Sequence, residues 1–327
     1  MRNRTSTNLS FVGRFALLFG AMYALSAVLF RGVVSLLPDD AGVAVRFFEP
    51  YSLSLGPVLG AFVIGAVIAA VLLPFSREIV QRNKGGLILF AALWGVVLLG
   101  SLEPKPGSIE GMLYTVTSAW EHLLVVSFGA VQYAVFVWLL LRWERSAQGV
   151  SAAAPQRTQE PQQSAPQPLA WFEPQCGVKL RSYLGRFTTV HVVVYWVVGG
   201  LFYQISGYEE ALATMEIFTL WRELQNLTMP VVILLGQIVR GAFIALLLAP
   251  LYHVHIQHRY GWLQLFGLLF GLKVFAAIFT VPTSTPELRQ MLADLQFGVP
   301  EIVVQTAVFA LVFFAVEKRA WRMRLAE

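Results

Sequence analysis

The stretch "VVILLGQIVRGAFIALLLAP" occupies Val231–Pro250. It is about the length an α-helix needs to cross the roughly 30 Å hydrocarbon core of a bilayer. Its one charge, Arg240, stands at the middle. The rest of the chain shares its character: of 327 residues, 57% are hydrophobic and 13% charged, where soluble domains carry about 25% charged residues. Barrel strands would alternate apolar and polar side chains, whereas these segments are solidly apolar. The sequence therefore predicts an all-α polytopic membrane protein. Eight spans are expected, at about 12–36, 56–75, 86–102, 119–141, 184–204, 230–251, 262–281 and 299–317.

The eight spans read as the same four written twice. "GRFALLFGAMYALSAVLF" (Gly13 to Phe30) aligns without a gap to "GRFTTVHVVVYWVVGGLF" (Gly185 to Phe202). Pro74 then meets Pro250, and Gly85 meets Gly261. Leu89-Phe90, Leu93 and Gly95 meet Leu265-Phe266, Leu269 and Gly271. Val131-Gln132 meets Val304-Gln305, and Glu144 meets Glu317. The expected organisation is a first four-helix repeat over 1–145, a flexible linker over 146–178 and a second four-helix repeat over 179–327. The linker, "SAQGVSAAAPQRTQEPQQSAPQPLAWFEPQ", is rich in Ala, Pro, Gln and Ser and has little to bury. The N-terminus resembles a signal peptide, but its apolar run continues towards Leu37, and the repeat favours a retained helix.

Positive charge sets the orientation. Of 24 Lys and Arg residues, seventeen fall in segments that are inside if the N-terminus is inside. Arg31, Arg46, Lys105, Arg222 and Arg289 fall outside, and Arg240 and Lys273 fall within spans. Both termini and the linker are thus expected to be cytoplasmic, in a plasma membrane. Four spans per copy make the copies parallel, related by an axis along the membrane normal. The sequence pI of about 9.4 reflects this bias and not a nucleic-acid surface. A lone cysteine, Cys176, excludes an intrachain disulfide.

The expected outer face is acidic, with Glu121 and Glu301 opening two spans from that side. In one outer loop Met215, Phe218, Trp221 and Leu224 have the spacing of an interfacial helix. "PKPGSIEG" (Pro104 to Gly111) reads as an outer turn in which Ser108 and Glu110 are chemical candidates. His253, His255 and His258 invite a metal reading. Two of the three align with Arg77 and Arg82, so the segment reads instead as a basic loop in which arginine should be tolerated. Motifs for serine hydrolases, zincins and P-loop NTPases are absent, and no cofactor is expected.

Arg240 and Lys273 are the main puzzle. A charge at a helix centre costs about 2.5–3.5 kcal/mol on insertion scales, and no Asp or Glu is expected at that depth. The candidate binding set is Arg240, Lys273, Gln237, Gln132 and Gln305, with Glu121 or Glu301 reaching inward. Three readings are open. The first is transport or permeation of a small anionic or amphipathic ligand. The second is an intramembrane enzyme acting on a lipid or isoprenoid anion. The third is a non-catalytic assembly subunit. The bilayer is the one partner common to all three.

Overall fold

The computed structural model describes residues 4–38, 42–49, 51–82, 84–101, 104–147, 178–206, 228–272 and 298–325. Linker residues 148–177, with Cys176 among them, the loop carrying Met215 to Leu224, and Lys273 lie outside these residues. All regular structure among the described residues is helical. The first half contains α1 (Arg4–Ser35), α2 (Val43–Phe48), α3 (Leu55–Leu72), α4 (Ser76–Gln81), α5 (Gly85–Phe90), α6 (Ile109–Tyr114) and α7 (Ala119–Ala147). The second contains α8 (Leu180–Ile205), α9 (Thr228–Leu248), α10 (Tyr252–Gln257), α11 (Gly261–Phe270) and α12 (Val299–Leu325).

Six of these helical segments are long and apolar enough to cross a membrane: Asn8–Ser35, Leu55–Gln81, Ala119–Ala147, Leu180–Ile205, Pro230–Gln257 and Val299–Met323. The chain is a multi-pass helical membrane protein. The spans expected at 86–102 and 262–281 look different. Their described parts are the shorter apolar helices Gly85–Leu99 and Gly261–Phe270. In the first, α5 runs into a π-helical stretch, Ala91–Leu99, nearly all of which is buried. At 1.5 Å per residue, fifteen residues rise only about 22 Å, short of the hydrocarbon thickness. Apart from exposed Leu87 near its start, this helix is packed inside the bundle.

The segment after that helix is not the outer loop expected from its Pro and Gly content. Ser101, Pro104, Pro106, Gly107 and Ser108 are buried. Irregular backbone away from water must be satisfied by protein groups, and here it is. The Gly107 N–H donates to His122 Nδ1 (3.0 Å). Ser108 Oγ donates to the Lys105 carbonyl (2.9 Å) and accepts from the Gly111 N–H (2.9 Å), capping α6. Gly107 has φ +88°, and a Cβ there would come within 2.8 Å of Val125.

The two halves share their packing. α1 lies against α3 and α7, and α8 against α9 and α12. Pro74 and Pro250 each sit in a one-turn 3-10 segment, Leu73–Phe75 and Ala249–Leu251. Each segment leads into a six-residue helix closed by extended backbone at Arg82 or His258. Small residues of α3 let a neighbouring helix approach closely: a Cβ on Gly65 would come within 2.8 Å of Phe19 Cβ. Across the halves the contacts are exchanged. A Cβ on Gly95 would strike Leu247 of α9 at 2.3 Å, and one on Gly271 would strike Val71 of α3 at 2.5 Å.

Each half also ties its first helix to its last by an ion pair. Arg14 donates to both oxygens of buried Glu144 (2.6 and 2.8 Å). Arg186 does the same to buried Glu317, which also accepts the Tyr252 hydroxyl (2.7 Å). Serines one turn earlier, Ser10 and Ser182, bond the two guanidinium groups. Hydrogen bonds to charged groups contribute about 1.5–3 kcal/mol each. Glu317→Ala should therefore lower the thermal midpoint in detergent more than Glu144→Ala, because it also removes the acceptor of the Tyr252 hydroxyl. Equal shifts would show that the Tyr252 bond contributes nothing.

Candidate functional site

Arg240 is 1% exposed and has a carboxylate partner. Its Nη1 donates to Glu110 of α6, in the segment expected to be an outer turn. Its Nη2 donates to the Gly100 carbonyl (3.2 Å), where the inserted helix ends. A cation at a helix C-terminus meets both an orphan carbonyl and the negative end of the helix dipole. The expectation that no carboxylate reaches this depth is thus overturned. The buried helix ends before the full hydrocarbon thickness is reached, and the turn that continues from it holds Glu110 inside.

Helical spacing assembles the remainder. Gln237 lies one turn before Arg240 on α9. Its Nε2 donates to Glu110 Oε1 (3.0 Å) and to the Tyr114 hydroxyl (3.3 Å). Tyr114, one turn after Glu110, donates to the Ile233 carbonyl (3.4 Å). Gln237 Oε1 faces His191 Nε2 of α8 at 3.1 Å. Two glycines permit this closeness. A Cβ on Gly236 would lie 2.4 Å from the Tyr114 hydroxyl, and one on Gly241 would lie 2.8 Å from the His191 ring. The first half makes the same close approach at Gly65 with Phe19, beside apolar Ile64 and Ala61. The second half has a polar network at the positions where the first has hydrocarbon.

Beside the network is a cavity of about 20 Å³, lined by His191, Arg240, Gln305, Thr306 and apolar side chains of α8, α11 and α12. Arg240 Nε and Gln305 Nε2 are buried without a hydrogen-bond partner. Buried orphan donors are rare and call for an acceptor. The volume suits a water-sized guest.

Of the candidates from sequence, the structure brings together Arg240, Gln237 and Gln305. Others have separate uses. Glu121 is a double helix cap: Oε1 accepts from the Ala44 and Val45 N–H groups (3.0 and 3.1 Å), and Oε2 accepts from the Ser118 N–H and hydroxyl (3.1 and 2.6 Å). This explains its burial without reference to Arg240. Gln132 accepts the Tyr51 hydroxyl (2.6 Å) within the first half. Glu301 lies against α8, where a Cβ on Gly199 would be 3.3 Å from its Oε1. Glu110, Tyr114 and His191 are members of the site that the candidate binding set lacks.

The three histidines of this segment point to different surroundings. Among the described residues no three His, Cys, Asp or Glu side chains are grouped for a metal. His258 is exposed, while His253 approaches Glu78 of the other half (3.4 Å). His255 is 1% exposed and packs edge-on to Tyr252. The expectation that all three tolerate arginine therefore fails at His255, whose counterpart in the first half is buried Ile79. The segment forms the end of a long helical element, so one face of it is core.

Comparison with protein-family models, with curated proteins and with solved structures finds no match to this chain.

Proposed function

We propose that this chain is a transport or permeation protein with its site in the second half, beside the ion pair that ties that half to the first. The carrying observation is the pair of orphaned donors, Arg240 Nε and Gln305 Nε2, on residues that line one cavity beside a buried ion pair. A donor-rich lining suits a small anionic or carbonyl-bearing solute. The cavity is water-sized, so passage requires the surrounding helices to part. We read the halves as parallel repeats, 1–145 and 179–327, of four crossings each. The linker over 146–178 and both termini are cytoplasmic in this reading. The exchanged Gly95–Leu247 and Gly271–Val71 approaches and the paired Arg–Glu ties support the duplication. Cysteines at Leu36, which is exposed, and at Ser151 should label from opposite sides in a Cys176→Ser background. Labelling from one side would refute the topology. Ser108 is buried and unsuited to this test.

A second reading rests on the same geometry. Glu110 and Gly100 already engage Arg240, so the pair also serves as a clamp between the halves of a non-catalytic subunit. The enzyme reading loses ground, because it needs Arg240 for a substrate phosphate. Proteoliposome flux of chloride, phosphate and acetate separates the first two. Transport requires flux above protein-free vesicles, abolished by Arg240→Gln in protein that still inserts and purifies. If wild-type vesicles match protein-free ones for all three solutes, the clamp reading stands.

A further inference from the structure

A second cavity, about 310 Å³ in volume, lies in the first half, away from the Arg240 network. Its walls combine the end of α1 (Phe30, Arg31), α2 (Val45, Arg46) and the turn beyond it (Glu49, Tyr51). The span ending at Ser35 has 28 residues, about 42 Å of helix against a hydrocarbon core of roughly 30 Å. Arg31, in its last two turns, is therefore at headgroup level. The apolar wall is fixed. Phe30 and Val45 are buried, Tyr51 packs on Phe30 and Phe128, and its hydroxyl is held by Gln132.

The polar wall is fixed too. Arg46 Nη2 donates to the carbonyls of Leu37 and Pro38 (3.2 Å each). A guanidinium has five N–H donors, so donors remain for a phosphate. Glu49 has φ +34°, and is the only non-glycine residue with positive φ among the described residues. A left-handed turn suits glycine, so a glutamate held there is a strain that points to use. Two cations and one carboxylate around one cleft match a phosphate ester that carries a primary amine.

We propose that this cleft binds the headgroup of an amine-bearing phospholipid, with phosphate on Arg31 and Arg46 and ammonium on Glu49. The apolar wall takes the start of the lipid's chains. The exposed apolar residues Leu36, Val43 and Phe47 surround the same end of the bundle and give a lipid its approach. This site stands independently of the transport reading.

The test uses the full-length protein equilibrated in mixed micelles of equal phosphatidylethanolamine, phosphatidylglycerol and phosphatidylcholine with matched chains. Retained lipid is then read by mass spectrometry. The wild type should retain phosphatidylethanolamine about tenfold over phosphatidylcholine, the scale of one charge-assisted contact. The double variant Arg31→Gln/Arg46→Gln should retain about tenfold less phosphatidylethanolamine per protein, because it removes the phosphate partners that all three lipids share. Glu49→Gln should bring the phosphatidylethanolamine-to-phosphatidylcholine ratio near one and erase the preference over phosphatidylglycerol, while leaving phosphate binding. Glu49→Gly should lose the same preference yet raise the thermal midpoint, which separates recognition from folding. Unchanged retention of phosphatidylethanolamine in the double variant would overturn the proposal. So would an unchanged preference over phosphatidylglycerol in Glu49→Gln. Displacement of the lipid by millimolar inorganic phosphate would overturn the lipid as the source.

Discussion

Glu110→Ala should destabilise the protein by about 3–5 kcal/mol, the scale for removing one partner of a buried ion pair. The reason is the geometry around Arg240. Its side chain is 2% exposed, and apart from Glu110 it is bonded to the Gly100 carbonyl. Arginine does not escape by deprotonating. Removing Glu110 thus leaves a fixed charge in a low-dielectric interior and also takes one acceptor from Gln237 Nε2. Replacing both charges has a different outcome. Burying an ion pair is costly, and an apolar pair of similar volume is often neutral or stabilising. Glu110→Leu combined with Arg240→Met should recover most of the loss. The measurement is a double-mutant cycle of denaturant or thermal midpoints in detergent. A loss under about 1 kcal/mol for Glu110→Ala, the usual scale of an exposed pair, would mean that water reaches Arg240. The recovered double variant should be folded and without flux, the combination that separates stability from transport.

Gly85→Ala and Gly261→Ala should each prevent recovery of folded protein. A Cβ at Gly85 would lie 1.9 Å from the Ile79 carbonyl oxygen, and one at Gly261 would lie 1.7 Å from that of His255. The obstacle in both cases is backbone, which cannot rotate away as a side chain can. Both glycines open an apolar helix just after the tight turn that leaves a long one. An added methyl forces the turn apart, a mechanism that belongs to the severe tail of single substitutions, above about 4 kcal/mol. Gly13, Gly185 and Gly267 provide the contrast, since nothing lies within 4 Å of a Cβ there. Alanine at these helical positions should be stabilising by about 0.5–1 kcal/mol. Yield of monodisperse protein and its thermal midpoint read both sets. Normal yield for Gly85→Ala and Gly261→Ala would mean that these turns have room to open.

The long spans are legible because length and composition alone specify them. The character of the third is not, since an apolar run looks the same whether lipid or protein surrounds it. That ambiguity hides Glu110. Pro and Gly after an apolar run read as a solvent turn, which puts "PKPGSIEG" outside. Two signals point inward. One is the shortness of the helix preceding the turn. The other is the i, i+4 spacing of Glu110 and Tyr114, opposite the i, i+3 spacing of Gln237 and Arg240. Gln305 is legible as the partner of Gln132 in the alignment. Yet Gln132 meets Tyr51 while Gln305 lines the Arg240 cavity, because aligned positions do not fix what a neighbouring helix presents. His255 misleads for a similar reason: its alignment with Ile79 carries burial, whereas its neighbours His253 and His258 align with arginines.

The tie between Glu110 and Arg240 spans 130 residues of chain. At about 5–20 residues per second of synthesis, Glu110 exists for on the order of ten seconds before Arg240 has been made. Throughout that interval the inserted helix of the first half lacks the donor that closes its last turn at Gly100. The first half is therefore born incomplete. Closing that turn awaits the arrival of α9.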